Sequence, residues 1–246
     1  MIQGARELHR IQTRSKGDRD LVSEVDLRAE QRIVEILSAG FPRHGIRSEE
    51  GGGREAADSP YQWLVDPLDG THNFMHSNPS YCVSIALLNG SQIECGVVFD
   101  PVRGELFEAT RGRGAKLNDR RLRITDCTSL DEALISTGFP PLNQSKAEAM
   151  GGLLSGLHCS VGGVRQSGSS ALDLAYFAAG RFSGVVHFGL RPWDSAAGAL
   201  LVQEAGGLVT DFAGGAQFLD SGEIVAAGPR LAPLLLAKIS ETHTAS

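Results

Sequence analysis

Between residues 61 and 110 the chain is built from four short β-rich segments, 61–66, 81–88, 92–100 and 105–110. Asn89-Gly90 and the stretch from Pro101 to Gly104 are turn-forming, so this region reads as a meander of hairpins. The flanking sequence has a different rhythm. Residues 17–40 read as a helical entry, with Val25, Ala29, Ile33, Ile36 and Leu37 at helical spacing and Gly40 and Pro42 ending the run. Past residue 130, strands (133–137, 184–188, 209–212, 224–227) alternate with helices (169–179, 195–205, 231–239). Such alternation predicts a layered α/β half. Two packed subdomains are expected, 1–125 and 126–246.

The longest apolar runs fall far short of the roughly 20 residues that span a bilayer. The N-terminal MIQGARELHR lacks the apolar stretch of a secretory signal. Cys82, Cys95, Cys127 and Cys159 form no C-x-x-C pair, which argues against a zinc cluster or a disulfide framework, so a reducing cytoplasm is the expected compartment. The net charge is −6. An acidic chain is a poor general binder of nucleic acid or anionic membrane, but suits a site that gathers carboxylates around cations.

The run Trp63-Leu64-Val65-Asp66-Pro67-Leu68-Asp69-Gly70-Thr71-His72-Asn73-Phe74 carries most of the chemistry. A strand is expected to run into Asp66 and stop at Pro67. Asp66 and Asp69 then face one point around a turn, Gly70 permits close backbone approach, and Thr71 adds a hydroxyl. Hard divalent cations bind through a few carboxylates plus substrate phosphate, so the element can be a metal and phosphate platform. It can equally be an Asx-rich turn. Three further acidic elements each have an ordinary reading alone. Glu49 and Glu50 before Gly51-Gly52-Gly53 suit a solvated loop. The stretch from Asp20 to Asp26 opens a helix, whose dipole favours Asp26. Asp194, in Arg191-Pro192-Trp193-Asp194-Ser195-Ala196-Ala197-Gly198, suits an N-cap.

Taken in order, the four elements resemble the inositol monophosphatase family of Mg²⁺-dependent, Li⁺-sensitive phosphomonoesterases. The resemblance spans nearly the whole chain. D-P-x-D-G-T-x-N-F with a distant W-D-x-A-x-G is its most specific part. It implies an α-β-α-β-α sandwich like that of fructose-1,6-bisphosphatase, with an antiparallel N-terminal sheet and a mixed C-terminal sheet. It also implies two to three Mg²⁺ per site, with Mn²⁺ as a substitute and Li⁺ as an inhibitor. Glu49, Asp66 and the carbonyl oxygen of Leu68 would hold the first ion, and Asp66, Asp69 and Asp194 the second. A third would use Glu49 and waters. Thr71, oriented by Asp26, would bond the attacking water, with Glu49 completing the catalytic set. Paired cations cancel charge on attacking and leaving oxygens, and relieve the repulsion among the carboxylates.

On the substrate side the resemblance implies Gly70 and Thr71 against phosphate. It implies Gly168, Ser169, Ser170, His187 and Asp194 against a small polyol or sugar. Ser169 can also be a plain N-cap. Many inositol-type relatives carry Glu where His187 stands, seven residues before Asp194. An imidazole donates or accepts where a carboxylate only accepts, so inositol phosphate need not be preferred. Fructose 1,6-bisphosphate, histidinol phosphate and 3′-phosphoadenosine 5′-phosphate are alternative substrates. The cysteines and His72 have no role in this scheme. Relatives carry a longer first helix, whereas here 19 residues precede Asp20. Residues 5–11 are expected as a short helix, and Ser15, Lys16 and Gly17 as a loop over the site, with Lys16 within reach of phosphate or merely solvated. A homodimer is implied. A regulatory module acting on transcription or RNA machinery is the contrasting reading. It draws on Arg111, Arg113, Lys116, Arg120, Arg121 and Arg123, which suit a solvated hairpin face better.

Overall fold

The computed structural model describes residues 13–17, 20–56, 58–125, 127–138 and 144–243. The expected helix at 5–11 lies outside them. Strands β1 (Thr13–Gly17) and β2 (Asp20–Ser23) pair antiparallel. Ser15, Lys16 and Gly17 are therefore strand residues rather than a loop. The helix expected from Asp20 starts only at Glu24, because ladder pairing with β1 holds the preceding four residues extended. It is α1 (Glu24–Gly40).

Next come β3 (Gly45–Ser48), β4 (Tyr61–Asp69), a short α2 (Thr71–Met75), β5 (Cys82–Asn89), β6 (Gln92–Asp100), β7 (Glu105–Thr110), β8 (Gly114–Leu117) and β9 (Arg120–Arg121). In that order β3 to β9 form a seven-stranded sheet. The hairpin meander is as expected, and every pairing is antiparallel except β3 with β4, which run parallel at one edge.

The second half adds β10 (Leu134–Gly138), α3 (Gln144–His158), β11 (Gly163–Arg165), α4 (Ser170–Ala178), β12 (Gly184–His187), α5 (Pro192–Glu204), β13 (Leu208–Thr210), α6 (Phe218–Ser221), β14 (Ile224–Ala227) and α7 (Ala232–His243). Its five strands lie in the order β11-β10-β12-β14-β13, parallel around β10 and antiparallel around β14, a mixed sheet.

Burial explains the layering. One stripe of α1 is buried on the first sheet: Val25 and Ala29 cluster with Leu68, Phe74 and Tyr81, and Leu37 with Ile46 of β3 and Trp63 and Val65 of β4. The run Ser195 to Val202 in α5 is buried on every side, as is most of α4. A helix apolar all round belongs between two layers, and these two lie between the sheets. Met150, Leu153 and Leu157 of α3 join Leu235 and Ile239 of α7 on the outer face of the second sheet. The stack is thus helix, sheet, helices, sheet, helices. Among the described residues, no helix is long and apolar enough to cross a membrane.

Candidate active site

Pro67 does not end β4. The strand continues to Asp69 through an irregularity: Asp66 pairs with Ser84 and Asp69 with Cys82, so Pro67 and Leu68 oppose Val83 alone. Proline has no N–H to give a ladder and is accommodated at bulges. The bulge also sets the chemistry. In a regular strand, residues three apart point to opposite faces. The extra residue resets the alternation, and Asp66 and Asp69 both border one cavity of about 250 Å³. The Leu68 N–H donates to Asp66 Oδ1 over 3.0 Å and locks the turn.

Gly70 follows with φ 94°, and a Cβ there would stand 2.8 Å from the Ser80 carbonyl oxygen. Both facts require glycine. The chain then enters α2, where Thr71 Oγ1 lies 2.9 Å from Asp26 Oδ1 and 3.1 Å from the Leu68 carbonyl oxygen. Asp26 is fully buried in the first turn of α1, behind the cavity wall.

Glu49 lies just past β3, and its N–H donates to the Val65 carbonyl oxygen over 3.1 Å, which seats it beside Asp66. Asp69 reaches across to the second half. Its Oδ2 accepts from Ser169 Oγ at 2.7 Å and from the Ala171 N–H at 2.8 Å. Ser169 precedes α4 but makes no side-chain cap; the Asp69 carboxylate caps that helix instead. The Ser169 hydroxyl thus donates to a carboxylate while Ser169 still borders the cavity. Asp194 is not an N-cap either. α5 starts at Pro192, a favoured first helical residue, so Asp194 is its third residue and its Oδ2 accepts from the Arg191 N–H at 2.7 Å.

The cavity thus collects Glu49, Asp66, Leu68, Asp69, Gly70, Thr71, Gly168, Ser169, Ser170, His187 and Asp194. Only Asp26, among the predicted site residues, stands behind rather than on its wall. Among the described residues, no Lys or Arg lines the cavity. Burial pushes the Asp66 carboxyl well above the usual carboxylate range, and Glu49, Asp69 and Asp194 push it further. Burial and then Asp69 do the same to Asp194. Asp69 is raised by burial, against the opposing pull of Ser169 and Ala171. Among the described residues, no three acidic, His or Cys side chains close into a ready cage. The donor set nevertheless fits Mg²⁺: hard oxygens only, crowded enough to raise their own proton affinity, with no cation supplied by the described lining.

Gln166 and Asp173 are not singled out by the sequence, and Asn73 is noted only within its motif. Asn73 Nδ2 donates to the carbonyl oxygens of Ser80 (2.7 Å) and Ser167 (2.8 Å), tying the aspartate turn to the loop before α4. Gln166 also lines the cavity. His187 ends β12, with Nε2 3.1 Å from Oδ2 of fully buried Asp173. Of these, only Asn73 stands within a recognisable motif. Cys82 Sγ lies 3.7 Å from Asp69 Oδ2, and burial pushes that thiol well up, away from the thiolate. In the basic run, Arg113, Lys116, Arg120, Arg121 and Arg123 are exposed on or beside the β8–β9 hairpin. Arg111 is engaged structurally, its Nε donating to the Ile93 carbonyl oxygen at 2.7 Å.

The profile of the inositol monophosphatase family matches residues 1–244. A protein of Escherichia coli (strain K12) designated Nus factor SuhB is 45% identical over 231 residues, 94% of this chain and 86% of that one. The crystal structure of the extragenic suppressor protein suhB from Bartonella henselae superposes with a TM-score of 0.93 at 39% identity, covering 98% of this chain and 92% of the other. An inositol monophosphatase from Anabaena (Nostoc) gives a TM-score of 0.81 at 37% identity, covering 88% and 86% of the two chains.

Proposed function

The chain belongs to the inositol monophosphatase family, and on that premise we propose that it hydrolyses phosphate monoesters of small polyols or sugars with Mg²⁺. The single observation that carries this reading is the convergence of Glu49, Asp66, Asp69 and Asp194 on one cavity, with no Lys or Arg among its described lining residues. Glu49, Asp66 and the Leu68 carbonyl would hold one Mg²⁺, and Asp66, Asp69 and Asp194 a second. Bound there, Mg²⁺ supplies positive charge that offsets the phosphate dianion and favours water as the nucleophile.

The chain's own residues do the rest. With its proton directed to Asp26 Oδ1, the Thr71 oxygen turns its lone pairs toward the cavity, where it accepts a hydrogen bond from the attacking water. Gly70 and Thr71 border the phosphate position at the start of α2. Ser169 and the Ala171 N–H fix Asp69, so the second half of the fold orients a carboxylate from the first. Gly168, Ser169, Ser170, His187 and Asp194, which also line the cavity, would meet the leaving group. The test is phosphate release from inositol 1-phosphate, fructose 1,6-bisphosphate, histidinol phosphate and 3′-phosphoadenosine 5′-phosphate. Turnover is expected with Mg²⁺ or Mn²⁺ and inhibition with Li⁺. No release from all four overturns the reading.

A second reading is favoured by the name of the Escherichia coli relative and by the exposed basic hairpin: that the chain serves as a Nus factor. Its test is a salt-dependent gel shift with RNA, repeated with Arg113, Lys116, Arg120, Arg121 and Arg123 changed to Ala. A shift that survives these changes argues against this surface.

A further inference from the structure

Glu30 is a buried carboxylate on α1, 4% exposed, and it does not face the cavity. It lies one helical turn beyond Asp26, on the same side of α1. Oε2 accepts from the Ser48 hydroxyl and from the Glu50 N–H at 2.9 Å, and Oε1 accepts from the Gly52 N–H at 2.6 Å. Those three donors bracket Glu49. The glycine run is shaped to this clamp. Gly51 has φ 86°, a Cβ on Gly52 would stand 2.1 Å from Glu30 Oε1, and a Cβ on Gly53 would stand 2.2 Å from the Ile46 carbonyl oxygen. A surface loop has no need of a buried carboxylate that accepts three hydrogen bonds. A loop that must present one side chain at a fixed place does.

We propose that Glu30 is a positioning residue that holds the 48–52 loop on α1 so that Glu49 is preset for cation binding. The inference rests on the metal-site reading above. α1 then governs both sides of the chemistry, Thr71 through Asp26 and Glu49 through Glu30.

The experiment measures Mg²⁺ binding by calorimetry, together with the Mg²⁺ dependence of turnover, for the full chain and for E30Q, G52A and E30Q/G52A. Circular dichroism sets a temperature at which each is folded. Gln keeps the length of Glu30 but sets an amide donor against N–H and hydroxyl donors. Ala at 52 displaces the carboxylate without removing it. Each single variant is expected to weaken Mg²⁺ binding about 10- to 100-fold, the range typical of groups that orient metal ligands. Turnover at saturating Mg²⁺ is expected to recover to near the wild-type rate, which a general loss of structure does not allow. The double variant is expected to be no worse than the poorer single one, because both act through one contact. Wild-type Mg²⁺ affinity in E30Q or G52A overturns the clamp, and so do additive losses. A wild-type chain that neither binds Mg²⁺ nor turns over substrate overturns the underlying reading instead. Should E30Q fail to fold, G52A decides, with S48A, which removes a single donor, expected to weaken binding in the same direction.

Discussion

The imidazole of His187 stands on a buried carboxyl group: its Nε2 lies 3.1 Å from Asp173 Oδ2, while Asp173 Oδ1 has no hydrogen-bond partner among the described residues. A Cβ on Gly138 would lie 2.7 Å from His187 Cε1, so the ring is also confined from β10. Truncation to Ala strips the fully buried Asp173 of this bond, which costs about 1–3 kcal/mol for an unsatisfied buried group. H187A is therefore expected to lower stability by that amount in urea unfolding. H187A/D173A is expected to fall short of the sum of its single changes. KM for a polyol phosphate should rise in H187A more than kcat falls. A fully additive double variant removes the coupling.

The raised carboxyls of Asp66 and Asp194 give a second expectation. A carboxyl whose native pKa exceeds its unfolded value binds more protons when folded. Its contribution is then fully present below the unfolded pKa, and is lost as pH climbs through the higher native one. The metal-free protein should thus lose stability as pH rises from about 4, the ordinary carboxylate value, and Mg²⁺ should restore it. D66N and D194N relieve the same repulsion. Both are expected to abolish turnover and yet raise the metal-free Tm, by about 2–4 °C for each 1 kcal/mol relieved in a chain of this size. Calorimetric melts across pH, with chelator and with Mg²⁺, check both signs. A lowered Tm in D66N contradicts the account.

Thr71 and Asp26 divide a third test. T71A removes the hydroxyl proposed to meet the water and is expected to cut kcat by about 10²- to 10⁴-fold, with KM little changed. T71S keeps the oxygen and should retain most of the rate. D26N leaves an oxygen that accepts from Thr71 but removes the charge, so its loss should be smaller than that of D26A. Steady-state kinetics at saturating Mg²⁺ separates the four.

Asp66 and Asp69 were legible in the sequence because they sit in one contiguous motif whose neighbours, Gly70, Thr71 and Asn73, have local work to do, whereas Glu49 and Asp194 gained meaning only beside it. What the motif could not show was the bulge. Pro67 reads as a stop, and only pairing with β5 makes it a reset that turns Asp69 to the face of Asp66. Non-local partners account for the other gaps. Glu30 looks like any helix acid until the loop folds back on it, and Asp173 until His187 arrives from β12. The four-residue β3 is too short to announce itself, and its parallel pairing with β4 spans the whole 49–60 connection. Helix α3 carries Gly151, Gly152 and Gly156, each unfavourable in a helix by about 1 kcal/mol against Ala. It is held instead by Met150, Leu153 and Leu157 on the second sheet.

The packing of α5 on β6 supplies the last test, because it separates space from propensity. A Cβ on Gly96 would stand 2.8 Å from Ala197 Cα and 3.0 Å from its carbonyl oxygen. Those are backbone atoms, so the helix itself must move. Asp194 is three residues away on that helix, and any shift carries it off the cavity. G96A is therefore expected to lower stability by about 1–3 kcal/mol, as overpacking does, and to weaken Mg²⁺ binding as well. At Gly40, the last residue of α1, an added Cβ would meet no described atom within 4 Å. G40A is expected to be neutral or to stabilise by about 0.4–1 kcal/mol through the unfolded chain, with Mg²⁺ binding unchanged. In urea unfolding and calorimetry, G96A loses stability and Mg²⁺ affinity while G40A loses neither if α5 is seated on β6 as described; a G96A that behaves like G40A contradicts it.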